Sequence, residues 1–357
     1  MGVIENRKVR SMDVQVEEIS EGNNEGNLIA KKKMSKKKKI LLTVFGVLFF
    51  IFASILGYGI YLTIQVNRIL EDAFVYIEVE NLRGFHVDFR FGEEASSILL
   101  LGIDTDDINE NALSDAMMLI TINPGQNSTK IVSLNRLLMF HEDRENFDPF
   151  ERLLYYYFFG GAQETVRQLQ AHLNVPIDRF VAVDFNGFAG VIDALGGVSV
   201  YNDGEEFVVS GIKELGHITI SHGEQHLNGE GALAFARGRM HDPLHDEGRQ
   251  IRQRQVIEAV LDSIDASVIT NHLDIMDAVD GHFSHNLLPW EIVRLLTNFV
   301  GGVGEIQQFS IDGERYVMEP REGEAYPHEF IIANPERVAE ISRILREHLE
   351  LPVDGEE

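Results

Sequence analysis

The chain has 357 residues, with 31 basic and 57 acidic side chains, a formal net charge of −26 and no cysteine. That length allows one large or two modest domains, and the missing cysteine excludes disulfides, a thiolate nucleophile and a thiolate metal site. So acidic a chain does not hold nucleic acid or an anionic membrane nonspecifically, and an anionic ligand would need a local basic pocket.

Residues 1–39 read as a disordered cytoplasmic tail, because they lack apolar periodicity. They hold ten basic and six acidic side chains, net +4, which leaves −30 for the rest of the chain. Residues 40–66 are twenty-seven consecutive uncharged positions. At about 1.5 Å per residue they exceed the ~30 Å of a bilayer core, so they read as one tilted transmembrane helix. Seven lysines between 31 and 39 precede the span, and Arg68 follows it. That asymmetry places the N-terminus in the cytoplasm and the rest of the chain outside, in the cell membrane as a single-pass protein. Residues 67–95 read as a stalk, and residues 96–352 as one extracellular domain.

Within that domain, residues 97–103, 116–122 and 130–134 are continuous apolar runs, the mark of strands covered on both faces. Asn123-Pro124-Gly125 closes the second with a turn signal. A helix is expected over 160–173, a strand over 179–183, a helix over 185–195 and a short strand over 198–200. Further helices are expected over 229–237, 247–267, 287–300 and 335–349. Alternating strands and helices predict an α/β fold, a mixed central sheet with helices on both faces.

Three features carry candidate chemistry. Asp104 directly follows the first buried run and Asp115 precedes the second. Strand ends are where α/β sheets bind ligands, and two carboxylates there suit a hard cation such as Mg2+. Turn or cap duty also fits both aspartates. The second feature is a run of five arginines and no lysine: Arg237, Arg239, Arg249, Arg252 and Arg254. Guanidinium groups match phosphate oxygens two at a time and never lose their charge. A solvated helix face paired with Glu230, Glu247 and Glu258 fits the same run. The third feature is Arg136 just past the third strand, with Arg152 ahead of the aromatic run Tyr155-Tyr-Tyr-Phe-Phe159. His241 and His245 form a rival metal pair, but Pro243 between them argues for a loop.

The ordered motifs Ile98-Leu-Leu-Leu-Gly-Ile-Asp104, Ser114-Asp115, Gly160-Gly161 and Asp184-Phe-Asn-Gly-Phe188 continue into Val191-Ile-Asp-Ala-Leu-Gly-Gly-Val198 and Leu227-Asn-Gly229. Ala232-Leu-Ala-Phe-Ala-Arg-Gly-Arg239 and Asp246-Glu-Gly-Arg249-Gln-Ile-Arg252-Gln253 complete them. In order and spacing the chain resembles the extracellular domain of the LytR–CpsA–Psr proteins of bacterial cell envelopes, over about residues 96–263. The resemblance implies a phosphotransferase that moves a glycopolymer, of wall teichoic acid or capsular type, from undecaprenyl pyrophosphate to peptidoglycan. It implies that Asp104 and Asp115 hold magnesium, and that Arg136, Arg237, Arg239, Arg249 and Gln253 contact the pyrophosphate. Arg152 stands where the family has lysine. Asp104 is also expected to help take the proton of the attacking hydroxyl. Leu113, Leu137 and Leu154 occupy positions where the family carries an arginine and two polar groups. A noncatalytic protein that only binds the lipid-linked pyrophosphate would need the arginines but neither aspartate.

Overall fold

The computed structural model describes residues 36–78, 80, 82–83, 89–108, 112–140, 148–210, 217–238, 246–263, 271–300, 304–320 and 327–353. Two compact units divide at Gly59 and Ile60. The 37-residue helix α1 (Lys36–Asp72) runs through that division. Phe49, Phe50 and Phe52 on it are exposed, and its described part is long and apolar enough to cross a membrane.

The second unit is built on a six-stranded sheet. Its strands are β1 (Ser96–Ile103), β2 (Ser114–Asn123), β3 (Ser128–Leu134), β5 (Arg179–Val183), β10 (Phe283–His285) and β11 (Glu305–Ser310). Their order is β10-β5-β1-β2-β3-β11. β1 runs antiparallel to β2 and parallel to β5, and β3 runs parallel to β11, so the sheet is mixed. Strand side chains alternate between faces. Leu99, Leu101, Met117 and Leu119 therefore point to one face, where α2 (Leu154–Leu173) and α8 (Pro335–His348) cover them. Ile98, Met118, Ile120 and Ile131 point to the other, toward α5 (Asp246–Asp262) and α7 (Pro289–Val300). The expected α/β architecture with helices on both faces is the one observed.

A smaller cluster surrounds α4 (Gly229–Arg237), with Leu233 and Phe235 packed under α3 (Phe185–Ala194) and the strand pair β6 (Val198–Asn202) and β9 (Gly223–Leu227). Gly229 is required there, since a Cβ would lie 2.0 Å from the Ala189 carbonyl oxygen. Beside it lies the hairpin β7 (Phe207–Ser210) and β8 (His217–Ile220). A three-stranded sheet joins β4 (Leu138–Met139), β12 (Gly313–Met318) and β13 (His328–Ala333). The short helix α6 (His272–Val279) precedes β10.

Two expectations change. α2 starts at Leu154 rather than at 160, and is broken at Gly160 and Gly161, whose φ values are −153° and 61°. Within the span 67–95, expected as a stalk, described residues contact the rest of the second unit. α1 continues to Asp72, and the chain then pairs with the sheet edge, Val75 N–H donating to the His285 carbonyl at 2.7 Å. Arg83 and Asp178 form a buried ion pair at 2.5 Å. An edge strand has unpaired backbone groups to offer, and the segment after the helix takes them.

Candidate functional site

At the ends of β1, β2 and β5 lies a cavity of about 670 Å³. Asp104, Asp115, Arg136, Arg237, Arg249 and Gln253 all line it. Its remaining wall is largely apolar, with Phe185, Phe188, Phe207, Val209, Leu233 and Ile257 among the lining residues.

The local fold explains each placement. The β1–β2 ladder pairs Gly102 with Ala116 but Ile103 with Ser114. Asp115 is thus the extra residue of a β-bulge, a device that re-aims a side chain where a regular ladder would not. Asp104 N–H donates to the Leu113 carbonyl at 2.8 Å, which places the first residue past β1 beside that bulge. Arg136 sits in the turn between β3 and β4, with Nη1 2.5 Å from Asp115 Oδ1. Arg237 ends α4, where a cation complements the helix dipole. It lies over the Phe185 ring at 4.2 Å and 3.6 Å from Asp104 Oδ1. Arg249 and Gln253 are four apart on α5 and so share one face.

Asp246, which sequence reasoning left out as a candidate, ties these groups together. It is 1% exposed, with Arg249 Nη2 at 3.1 Å and Arg136 Nε at 3.9 Å. Asp115 Oδ2 also faces Arg249 at 3.6 Å. The signal that could have found Asp246 is its position three residues before Arg249 on one helix face.

The arginine run divides in two. Arg237 and Arg249 reach the cavity, whereas Arg252 donates to the Phe235 and Gly238 carbonyls and so ties α5 to the end of α4. Arg239 lies outside the described residues, as do His241 and His245. Gly238 is extended, with φ −51°, and its lack of a Cβ matters because one would meet the Phe207 ring at 2.4 Å.

Arg152 departs from expectation: it is not on the cavity wall. It is 7% exposed, donates to the Glu329 carbonyl at 2.8 Å and lies over Tyr155. Burial lowers its pKa below the usual guanidinium range. Leu137 and Leu154 are buried in the main core cluster and Leu113 is half-buried against it, and none of the three is among the residues lining the cavity.

Burial, and then the charge of Asp115, raises the Asp104 pKa above the usual carboxylate range, while Arg237, Arg136 and Arg249 oppose the shift. For Arg136, burial opposes the charge, and Asp115 and Asp246 outweigh it, so the pKa rises. A carboxylate whose ionisation is made costlier by a second carboxylate beside it is a fit for a divalent cation. Among the described residues, no group of three or more protein ligands gathers, so ligand oxygens or water would complete the shell of a hard cation.

Taken together, the fold and cavity define an α/β protein that can hold a polyanion between guanidinium groups, beside two carboxylates and an apolar wall. The profile of the LytR_cpsA_psr family matches residues 75–336. A polyisoprenyl-teichoic acid–peptidoglycan teichoic acid transferase, TagU, of Halalkalibacterium halodurans is 32% identical over 322 residues, 88% of this chain and 99% of the relative. TagU of Enterococcus faecalis is 30% identical over 295 residues, 80% of this chain and 91% of the relative. The crystal structure of TagV from B. subtilis matches with TM-score 0.59 at 28% identity, over 72% of this chain and 98% of that one. The chain belongs to the LytR–CpsA–Psr family.

Proposed function

We propose that this protein is a membrane-anchored transferase that moves a teichoic acid type glycopolymer from a polyprenyl pyrophosphate carrier onto peptidoglycan. The observation that carries this reading is the set of Arg136, Arg237 and Arg249 around one cavity with Asp104 and Asp115. The TagU relatives, matched over most of their length, carry the corresponding activity in their names.

In this reading α1 spans the cell membrane with its lysine-rich end in the cytoplasm and the domain outside. A tethered domain meets a lipid-linked donor at high effective concentration. The pyrophosphate lies among the three guanidinium groups, which neutralise charge on its oxygens, and Gln253 adds a neutral donor. The polyprenyl chain runs along the apolar wall. An acceptor hydroxyl oxygen bonds to the polymer-side phosphorus. The bond from that phosphorus to the bridging oxygen breaks, polyprenyl phosphate leaves, and a phosphodiester remains. Asp104 would accept the hydroxyl proton, and its raised pKa strengthens it as a base. Asp104 and Asp115 would hold a magnesium ion, which when bound supplies further charge neutralisation on the phosphate oxygens.

The test is transfer of labelled polymer from a lipid-linked donor to peptidoglycan by the full chain in vesicles, with magnesium or with a chelator. Wild type is expected to transfer only with the metal, and Asp104→Asn and Asp115→Asn to lose transfer while keeping their fold. For Arg237→Ala, losing a charged hydrogen bond of about 1.5–3 kcal/mol slows transfer roughly ten- to a hundred-fold. Donor binding without transfer in the wild type would leave a noncatalytic binder instead.

A further inference from the structure

The chain leaves α1 through an exposed apolar stretch. Phe74 and Val75 are well exposed and Tyr76 is 78% exposed. Two residues further on, Glu78 N–H donates to the Gln163 side chain at 3.4 Å, just past the break in α2 at Gly160 and Gly161. Gln170 on the same helix donates to the Glu80 carbonyl. The exit segment therefore runs along the part of α2 beyond its break, while Val75 and, from the first turns of α2, Tyr157 both meet β10, at His285 and Ser284.

Those first turns carry a second exposed apolar group. Phe158 is 42% and Phe159 is 62% exposed, and Phe150 just ahead of the helix is 49% exposed. Their rings, with Tyr155, touch one another at centroid distances of 5.0–6.1 Å. The break at Gly160 and Gly161 follows at once and separates the direction of this turn from the rest of α2. A Cβ at Gly160 would lie 2.4 Å from Glu164 Cβ, so the break depends on glycine. Exposed aromatic groups of this size mark a surface that meets something.

What they meet is argued from position and charge. The patch begins two residues after the end of α1, so it cannot stray far from any bilayer that α1 spans. Tyrosine and phenylalanine at such a boundary place apolar rings at headgroup level. The charges near the two groups include Glu71, Asp72, Glu78, Glu151 and Glu164, with Arg68 held 3.7 Å from Asp280, Arg167 paired to Glu164 and the buried Arg152 over the Tyr155 ring. That rim repels anionic lipid, so contact would come from the rings and not from charge.

We propose that Phe74–Tyr76 and the Phe150–Phe159 rings dock together on the headgroup–acyl boundary of the membrane that anchors the chain; this rests on the membrane-anchor reading above. The docked face is coupled to the cavity. Leu154, at the start of the ring-bearing turn, donates its backbone N–H to the carbonyl of Arg136 at 3.0 Å. Docking therefore fixes the height of the cavity above the lipid, where a lipid-linked donor presents its pyrophosphate.

The experiment uses the full chain in phosphatidylcholine vesicles. The native tryptophan is removed as Trp290→Phe, and a single reporter is placed as Tyr76→Trp or as Phe159→Trp, each an aromatic exchange at an exposed site. Glu305→Trp, on β11 at the opposite edge of the sheet, is the control. Five strand spacings separate the edges, roughly 24 Å. Flotation first shows whether the chain is in the vesicles. Acyl-brominated phosphatidylcholine is then expected to quench reporters 76 and 159 and to shift their emission to the blue, leaving 305 unchanged. Raising the salt should leave that quenching intact. Flotation without quenching at 76 and 159 overturns docking and keeps the anchor. Equal quenching at all three positions also overturns it, as does a blue shift that needs high protein density rather than brominated lipid, the sign of a second copy on the patch. A chain that does not float overturns the anchor and docking together.

Discussion

Asp246 is 1% exposed, and its carboxylate faces both Arg249 and Arg136. Buried guanidinium groups repel one another unless counter-charge is close. Asp246 and Asp115 provide that charge in the free protein. An entering pyrophosphate would add to it. Asp246→Asn keeps the shape and removes one charge, so the free protein should lose stability, by about 3 kcal/mol or more for a pair this buried. Pyrophosphate then restores what the carboxylate supplied. Thermal unfolding with and without inorganic pyrophosphate should show a larger ligand-induced rise in Tm for Asp246→Asn than for wild type. Equal rises would mean that Asp246 does not share its arginines with the ligand. Of the residues that gather around the cavity, Asp104, Asp115 and Arg136 were legible because each flanks a buried run, and Arg237 and Arg249 because they belong to an arginine run in an acidic chain, whereas Gln253 came only with the family resemblance. Asp115 was legible as a strand-end acid but not as the bulged residue, since register is set by the partner strand. The carbonyl partner of Arg152, Glu329, lies 177 residues away, a contact that no local pattern announces.

At the level of elements, the buried strands β1, β2, β3 and β5 and the helices α3 and α4 stand where apolar runs and caps put them. Asn228 and Asp184 cap α4 and α3 with their side chains, a local signal. The edge strands β10, β11 and β12, the strands β13 and β4 that continue the sheet from β12, β9 and the β7–β8 hairpin were missed. They are short, or half-exposed with mixed polarity, so their pairing rather than their composition defines them. The seam between α8 and the sheet is polar and depends on pH. His348 is 2% exposed, with Nδ1 2.7 Å from Thr121 Oγ1 on β2 and Nε2 2.9 Å from Ser128 Oγ on β3. Burial, and then the Lys130 charge, push its pKa down to about 4 from the ordinary 6.5. Folding thus favours the neutral ring. The resulting stability is complete above pH 6.5 and is lost progressively as pH falls toward 4. At about 1.4 kcal/mol per unit, the loss reaches roughly 3 kcal/mol. Tm measured from pH 7 down to pH 4.5 should fall more steeply in wild type than in His348→Gln, which lacks the titrating group. Parallel slopes would show that the acid sensitivity of this domain lies elsewhere.

Across the whole molecule, charge and site pull in opposite directions. Beyond residue 39 the chain carries −30 of formal charge, although the total is −26. The cavity arginines Arg136, Arg237 and Arg249 each already face a carboxylate, Asp115, Asp104 or Asp246. From a distance an incoming pyrophosphate therefore meets a negative body, and only at contact range do the guanidinium donors dominate. Salt separates the two ranges. The screening length shrinks from about 30 Å at 0.01 M to about 8 Å at 0.15 M, so far-field repulsion fades while contacts of 3–4 Å persist. A short-chain prenyl pyrophosphate, soluble without a membrane, should bind with an association rate that rises across that range. Its dissociation rate should rise as well, because the contacts at the cavity mouth are partly exposed. Stopped-flow binding at several ionic strengths reads both rates directly. An association rate that falls with salt would mean that the cavity's own field extends beyond the acidic surface. The ligand would then be steered in by the arginines, and the membrane tether would no longer be needed to explain how so acidic a protein meets a pyrophosphate.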